Sequence, residues 1–306
     1  MTAVSRTTQF AKVHKVLKKH YKVSPCNTGR TVIEHLLFAC CLEDAHLDTA
    51  EEAFAALVHT FFDWNEVRVT SISELSEVMA CLPDPRAAAN RIKRLLHAIF
   101  EATFTFDLED RRKKNLGPTV AWLEKLDGAT PFIVSFVVQV ALGGHSIPID
   151  HGTMAVLRVL DLVTDKDVTA GVVPGMERAV AKSKGIEFGV LLHELGADYS
   201  ANSYSPSLRE LLIQIEPSCE SRLPKRRADR AARKLSEPAE PKSKETKSSG
   251  AKSKTSPAAA EKPAAKKKTP AAPPEIARKK PSPAEKPSAT SKKRPASEGL
   301  AKRKPR

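Results

Sequence analysis

The sequence predicts an all-α protein of many short helices in one or two lobes, followed by a disordered Lys/Ala/Pro-rich segment. Three observations carry this. Apolar residues recur at helical spacing through most of the first 221 positions. No stretch shows sustained strand-like alternation. The composition also changes abruptly near residue 222. Residues 222–306 hold 27 Lys+Arg against 8 Asp+Glu, net +19, and no aromatic residue. Residues 1–221 hold 23 basic against 28 acidic residues, net −5, and contain all 11 Phe, both Trp and all 3 Tyr. The first part is long enough to bury a core. The second has too little apolar surface to offset its chain entropy.

The elements follow in order. Residues 1–29 read as a basic, polar N-terminal extension with a weak helical pattern in "FAKVHKVLKKHY". "TVIEHLLFACCL" is a helix, apolar at Val32, Ile33, Leu36, Leu37 and Ala39/Cys40, and "TAEEAFAALVHTFF" continues helically. "DWNEVRVTSI" is the best strand candidate, a brief one. "TSISELSEVMACL" opens with Ser71 or Ser73 as N-cap and a glutamate near the third helical position. "LPDP" breaks the chain. Asp84 caps "PRAAANRIKRLLHAIFEATF", with Pro85 in its first turn. The helices "GPTVAWLEKL", "PFIVSFVVQVAL", "HGTMAVLRVLDLV", "GIEFGVLLHELGADY" and "PSLRELLIQI" complete the core. For 131–140 periodicity leaves a buried strand open beside a buried helix.

Five cysteines (Cys26, Cys40, Cys41, Cys81, Cys219) lack CxxC spacing, and with no signal peptide they predict a reduced, intracellular protein. The apolar run from Pro131 to Leu142 is short of the ~20 residues of a membrane span. His193 and Glu194 lack the partner of an H-E-x-x-H zinc site, because position 197 is Ala. No metal site is expected.

"LEKLDGATP" reads as a helix end, a tight turn and a helix start. Gly128 falls where a left-handed conformation is common, and Pro131 suits the first turn of the next helix. The amides that open such a helix cradle phosphate, which gives DNA binding without regard to sequence. Further on, Asp150 precedes "HGTMAVLRVL", a favoured N-cap position.

"LDGATPFIVSFVVQVALGGHSIPID" resembles the hairpin of the helix-hairpin-helix DNA glycosylases, the endonuclease III superfamily. The match is ungapped from Leu126 to Asp150, with Leu126, Gly128, the apolar helix and Asp150 in register. "HLLFACCLEDAHLDTAEEAFAAL" and "LPDPRAAANRIKRLL" are similar to further family segments, so the resemblance covers most of residues 30–215. It implies a two-lobed helix-hairpin-helix glycosylase fold over residues 30–221. It also implies a catalytic role for Asp150, whose carboxylate stabilises charge developing on the sugar while a damaged base is flipped out. Phe132 stands where bifunctional members carry the lysine that forms a Schiff base, so strand cleavage is not expected. Phe132 and Cys40, the latter at the position of the family's strand-inserting glutamine, are the candidate base-pocket residues. Gly128 and Thr130, the latter replacing the second hairpin glycine, are the candidate phosphate contacts. Of the family's four iron–sulfur cysteines only Cys219 is present, so no cluster and no cofactor is expected.

Blander roles stand beside these. Asp150 is also a plain N-cap, Phe132 core packing and Gly128 a turn glycine. His145 and His151 flank the loop and are more often surface or packing residues. Arg91, Lys93 and Arg94 are phosphate contacts or a solvated face. The 222–306 segment resembles linker-histone tails. It is expected to bind DNA by counterion release through basic residues such as Lys266, Lys267, Lys268, Lys292, Lys293 and Arg294. Two functions follow. One is a monofunctional, base-excision-repair DNA glycosylase tethered by its tail. The other is a catalytically inactive glycosylase-fold protein that binds DNA. Either is expected to be a monomer, partnered by double-stranded and damaged DNA, off the membrane, in a nucleoid or nucleus.

Overall fold

A computed structural model describes residues 6–22 and 29–225. These lie within one compact unit. Cys26 and residues 226–306, with Lys266–Lys268 and Lys292–Arg294, lie outside the described residues.

The described chain is α-helical: α1 (Arg6–His20), α2 (Val32–Leu42), α3 (Leu47–Thr60), α4 (Trp64–Val69), α5 (Ile72–Val78), α6 (Pro85–Thr103), α7 (Asp110–Lys113), α8 (Leu116–Leu123), α9 (Pro131–Val140), α10 (His151–Val159), α11 (Asp165–Ala170), α12 (Met176–Ala179), α13 (Lys182–Asn202) and α14 (Pro206–Ile215), closed by a 3-10 turn at Pro217–Ser221. No strand occurs among the described residues.

Local chemistry sets most of the helix starts. Thr31 and Glu34 form a reciprocal capping box at α2, and Ser71 and Glu74 form another at α5. Asp84 accepts the Ala87 amide at 2.9 Å, with Pro85 opening α6. Thr130 accepts the Ile133 amide at 3.2 Å, with Pro131 opening α9. That capped start makes 131–140 a helix in spite of its β-branched residues. The strand expected in "DWNEVRVTSI" is corrected to α4. Asp63 accepts the Glu66 amide at 2.7 Å and starts a helix, and Lys93 Nζ binds the carbonyls of Arg68 and Thr70 at its far end.

Two apolar clusters define two lobes. The first gathers α2, α3, α5, α6 and α9 around residues such as Leu36, Leu57, Leu75, Ile92, Leu95 and Val137. The second gathers α10, α13 and α14 around Leu157, Phe188, Leu191, Leu195 and Leu212, and α1 joins it through Phe10, Val13, Val16 and Leu17. The described chain therefore begins with α1 in the second lobe, builds the first, and returns. Truncating any of these fully buried leucines to alanine costs about 2–5 kcal/mol.

The hairpin between α8 and α9 forms as the sequence predicts. Ala129 N donates to Leu126 O at 3.1 Å, and Gly128 has φ 90°. A Cβ on Gly128 would lie 2.8 Å from the Arg91 carbonyl and 2.9 Å from the Leu95 amide. The turn is thus pressed onto the backbone of α6, and only glycine fits on both counts.

Candidate functional site

The site begins with two glycines. A Cβ on Gly152 would sit 2.4 Å from the Gly196 carbonyl oxygen, and one on Gly196 would sit 2.5 Å from the Thr153 amide. Helices α10 and α13 therefore touch backbone to backbone. His193 is one turn before Gly196 and shares its face. Asp150 is the N-cap of α10, just before Gly152. The close crossing brings these two side chains together.

Asp150 uses both carboxylate oxygens. Oδ1 accepts the Thr153 amide at 2.7 Å. Oδ2 lies 2.9 Å from His193 Nδ1, a close ion-pair contact rather than a linear hydrogen bond. The Asp150 side chain has 0% of its surface exposed and that of His193 5%. The other ring nitrogen, Nε2, is 2.8 Å from the Ala45 carbonyl oxygen. A carbonyl only accepts, so Nε2 carries a proton. A bare Nδ1 lone pair against a carboxylate would be repulsive, so the pair holds a second proton, on Nδ1 or on Oδ2. The charged pair is the favoured form. Burial raises the Asp150 carboxyl, but His193 and the Thr153 amide outweigh it and hold it below its ordinary value. Burial lowers the His193 imidazolium, but Asp150 outweighs it and raises it.

The segment after α2 closes over this pair. Ala45 holds His193, while Glu194 accepts the Leu47 amide at 2.8 Å and lies 3.1 Å from His46 Nδ1. Asp198, one turn on, accepts from the Tyr21 hydroxyl at 2.5 Å. Phe132 lies above His193, with ring centroids 5.5 Å apart, and stacks on Phe136. The space left among Leu42, Leu47, Phe132, Gln139, Pro148 and His193 is about 20 Å³. Small-molecule pockets run to about 300–1,000 Å³, so no nucleobase fits there. A cleft of about 510 Å³ runs past Pro131, Ser135, Ser146 and Ile149, but neither Asp150 nor Phe132 lines it.

The other candidates divide. Phe132 and Cys40 are within the first-lobe core at 2% and 0% exposure. Burial pushes the Cys40 thiol well up, and its carbonyl accepts from Arg91 Nη2 at 2.9 Å. Gly128 and Thr130 shape the hairpin as a turn glycine and an N-cap. Arg91, Lys93 and Arg94 of α6 are each paired within the protein. Arg91 pairs with Glu43, Lys93 binds the α4 carbonyls, and Arg94 forks onto Asp127 in the hairpin itself. His145 Nε2 donates to the carbonyls of Glu177 and Val180 at 2.7 and 3.0 Å, which ties its loop to α12. His151 is exposed at the start of α10.

Two site residues escaped the sequence reading. His193 entered it only as half of a missing zinc motif. Glu43 ends α2 with its Oε2 3.3 Å from Arg91 Nε. Burial raises its carboxyl, Arg91 and Thr130 partly offset this, and Asp150 is among the neighbouring charges. The one available signal was the pair of glycines, Gly152 and Gly196, each close in sequence to an ionisable side chain.

The iron–sulfur cluster of the glycosylases does not fit the residues present. Cys219 is buried in the second-lobe core with its thiol raised by burial. Among the described residues no group of three or more His, Cys, Asp or Glu is placed to hold a metal ion.

The architecture is that of the helix-hairpin-helix DNA glycosylases. It matches a trapped endonuclease III–DNA covalent intermediate, containing an estranged adenine, at 15% identity and a TM-score of 0.50. The match covers 71% of this chain and 99% of that one. It matches a non-covalent endonuclease III–DNA complex at 16% identity and a TM-score of 0.51, with the same coverage of each chain. No family model matches the sequence, and no curated protein does. Among the described residues no helix is long and apolar enough to cross a membrane.

Proposed function

We propose that this chain is a duplex-DNA-binding protein on the glycosylase scaffold, with its glycosylase centre held closed. One observation carries the reading: the Asp150 carboxylate has no exposed surface and is neutralised by His193. A carboxylate that stabilises a sugar cation must face the sugar. This one faces an imidazolium, under a lid of Phe132 and the 43–47 segment. The tail supports DNA binding through charge alone, net +19 over residues 222–306.

A second reading, a monofunctional DNA glycosylase, is favoured by the position of Asp150. It heads α10 behind the hairpin and is held in its ionised form. For catalysis the 43–47 segment must leave His193, the pair must part, and a flipped base must displace Phe132. The carboxylate would then stabilise the oxocarbenium-like sugar. With Phe132 in the lysine position, the product would be an abasic site and not a nicked strand.

The deciding experiment incubates the full chain with duplexes carrying alkylated, oxidised, deaminated or mismatched bases, then treats them with alkali. The closed-centre reading expects duplex binding, no alkali-labile sites, and the same result for Asp150→Asn. Alkali-labile sites made by the wild type and lost in Asp150→Asn would establish the glycosylase. Cleavage without alkali would contradict both.

A further inference from the structure

We infer that α1, on the second lobe, carries a sequence-independent contact surface for the phosphate backbone of duplex DNA. The inference rests on the reading that the chain binds DNA.

Helix α1 has two unlike faces. Phe10, Val13, Val16 and Leu17 are buried in the second-lobe core. On the opposite face, Lys12, Lys15 and Lys19 follow at spacings of three and four residues, one stripe of an α-helix about 10 Å long. All three are exposed, and none makes a hydrogen bond or ion pair within the described residues. Lys182 and Lys184, in the first turn of α13, are likewise exposed and unpaired.

Between Lys15 of the stripe and Lys184 lies a cleft of about 410 Å³, lined also by His14, Lys18 and Glu187 among others. The acid in that set is already committed, for Glu187 lies 2.6 Å from Lys18 Nζ and 3.4 Å from His14 Nε2. The cleft therefore keeps an uncompensated positive charge. This contrasts with α6, whose Arg91, Lys93 and Arg94 are each held by a carboxylate or by backbone carbonyls.

The fold needs nothing from Lys12, Lys15 and Lys19, because α1 docks through its apolar face and the Lys18–Glu187 pair. Residues 1–221 are net acidic and repel a polyanion on average, so approach must be local to a basic face. The stripe offers ammonium groups and neither amide nor aromatic side chains, which suits phosphates and gives no readout of bases.

The test uses the full chain and a short fluorescent duplex. Binding is followed by anisotropy across a salt series for the wild type and for the Lys12→Gln/Lys15→Gln/Lys19→Gln protein. Circular dichroism checks that the variant keeps its helices. The cations of residues 226–306 are common to both proteins and cancel in the comparison. Each lost phosphate contact lowers the slope of log K against log salt by about 0.9, so the triple variant is expected to lose about 2–3 from the slope. An unchanged slope in a protein that binds would overturn this surface and leave the DNA-binding reading intact. No binding by the wild type would remove both.

Discussion

Asp150 Oδ2 and His193 Nδ1 are 2.9 Å apart, and the His193 ring is fixed from its other side by the Ala45 carbonyl at 2.8 Å. The contact joins the head of α10 to the middle of α13 and, through Ala45, to the end of α2. Breaking one partner of a buried pair leaves an uncompensated polar group, at a cost of about 3–5 kcal/mol. His193→Ala should lose roughly that much in urea-induced unfolding. Asp150→Asn should lose less, because the amide oxygen still accepts from Thr153 N. In the Asp150→Asn/His193→Ala double variant the losses should be clearly less than additive. Additive losses would mean that the two side chains do not act as a pair.

The pH dependence of stability should show two buried histidines pulling in opposite directions. His193 has a folded value raised above the ordinary 6.5, so its contribution is complete below 6.5 and is lost as pH rises through the folded value. Asp150 is depressed below 3.8, so its contribution is complete above 3.8 and is lost as pH falls through the folded value. The pair therefore stabilises most between 3.8 and 6.5. His35 opposes it there.

His35 is 1% exposed, and neither ring nitrogen has a hydrogen-bond partner. Burial first, then the charges of Arg30 and Arg112, push its value down to about 4, against smaller opposing effects of Glu34 and Glu109. Its contribution is complete above 6.5 and falls away between 6.5 and about 4. His35→Leu removes two unsatisfied buried groups at similar size. It should leave stability at pH 7 unchanged or raised by about 1 kcal/mol. It should also flatten the loss of stability between pH 6.5 and 4. Chemical denaturation at stepped pH reads this directly, and an unaltered acid limb in His35→Leu would rule His35 out as its source.

Much of the fold was legible because helix starts are local chemistry. Ser71, Asp84 with Pro85, Thr130 with Pro131, and Asp150 each announce a helix within four residues, and each caps one. The hairpin was legible for the same reason, from Gly128 and its flanking residues. The strand expected in "DWNEVRVTSI" failed because the Asp63 cap outweighs the β-branched Val67 and Val69. What stayed hidden is non-local. Ala45 and His193 are 148 residues apart, and nothing near either announces the other. The docking of α1 into the second lobe was obscured in the same way, because its lysines dominate its sequence and only Phe10, Val13, Val16 and Leu17 reveal an apolar face.

The glycine contacts give the last test. Gly196 is helical, and an alanine there has no conformational objection. Its added methyl would instead meet the Thr153 amide and hydroxyl at 2.5 Å, both on a neighbouring helix. Overpacking of this kind costs about 1–3 kcal/mol, and it must push α10 away from α13 and stretch the Asp150–His193 contact. Gly143 supplies the control. It has φ 63° and open space around its Cβ direction, so Gly143→Ala carries backbone strain of about 1–2 kcal/mol without a clash. Both variants should melt below the wild type. In Gly196→Ala alone, the imidazole titration of His193 followed by NMR should move back towards its ordinary value. A His193 titration that is unmoved in Gly196→Ala would mean that the close crossing of α10 and α13 does not set the geometry of the pair.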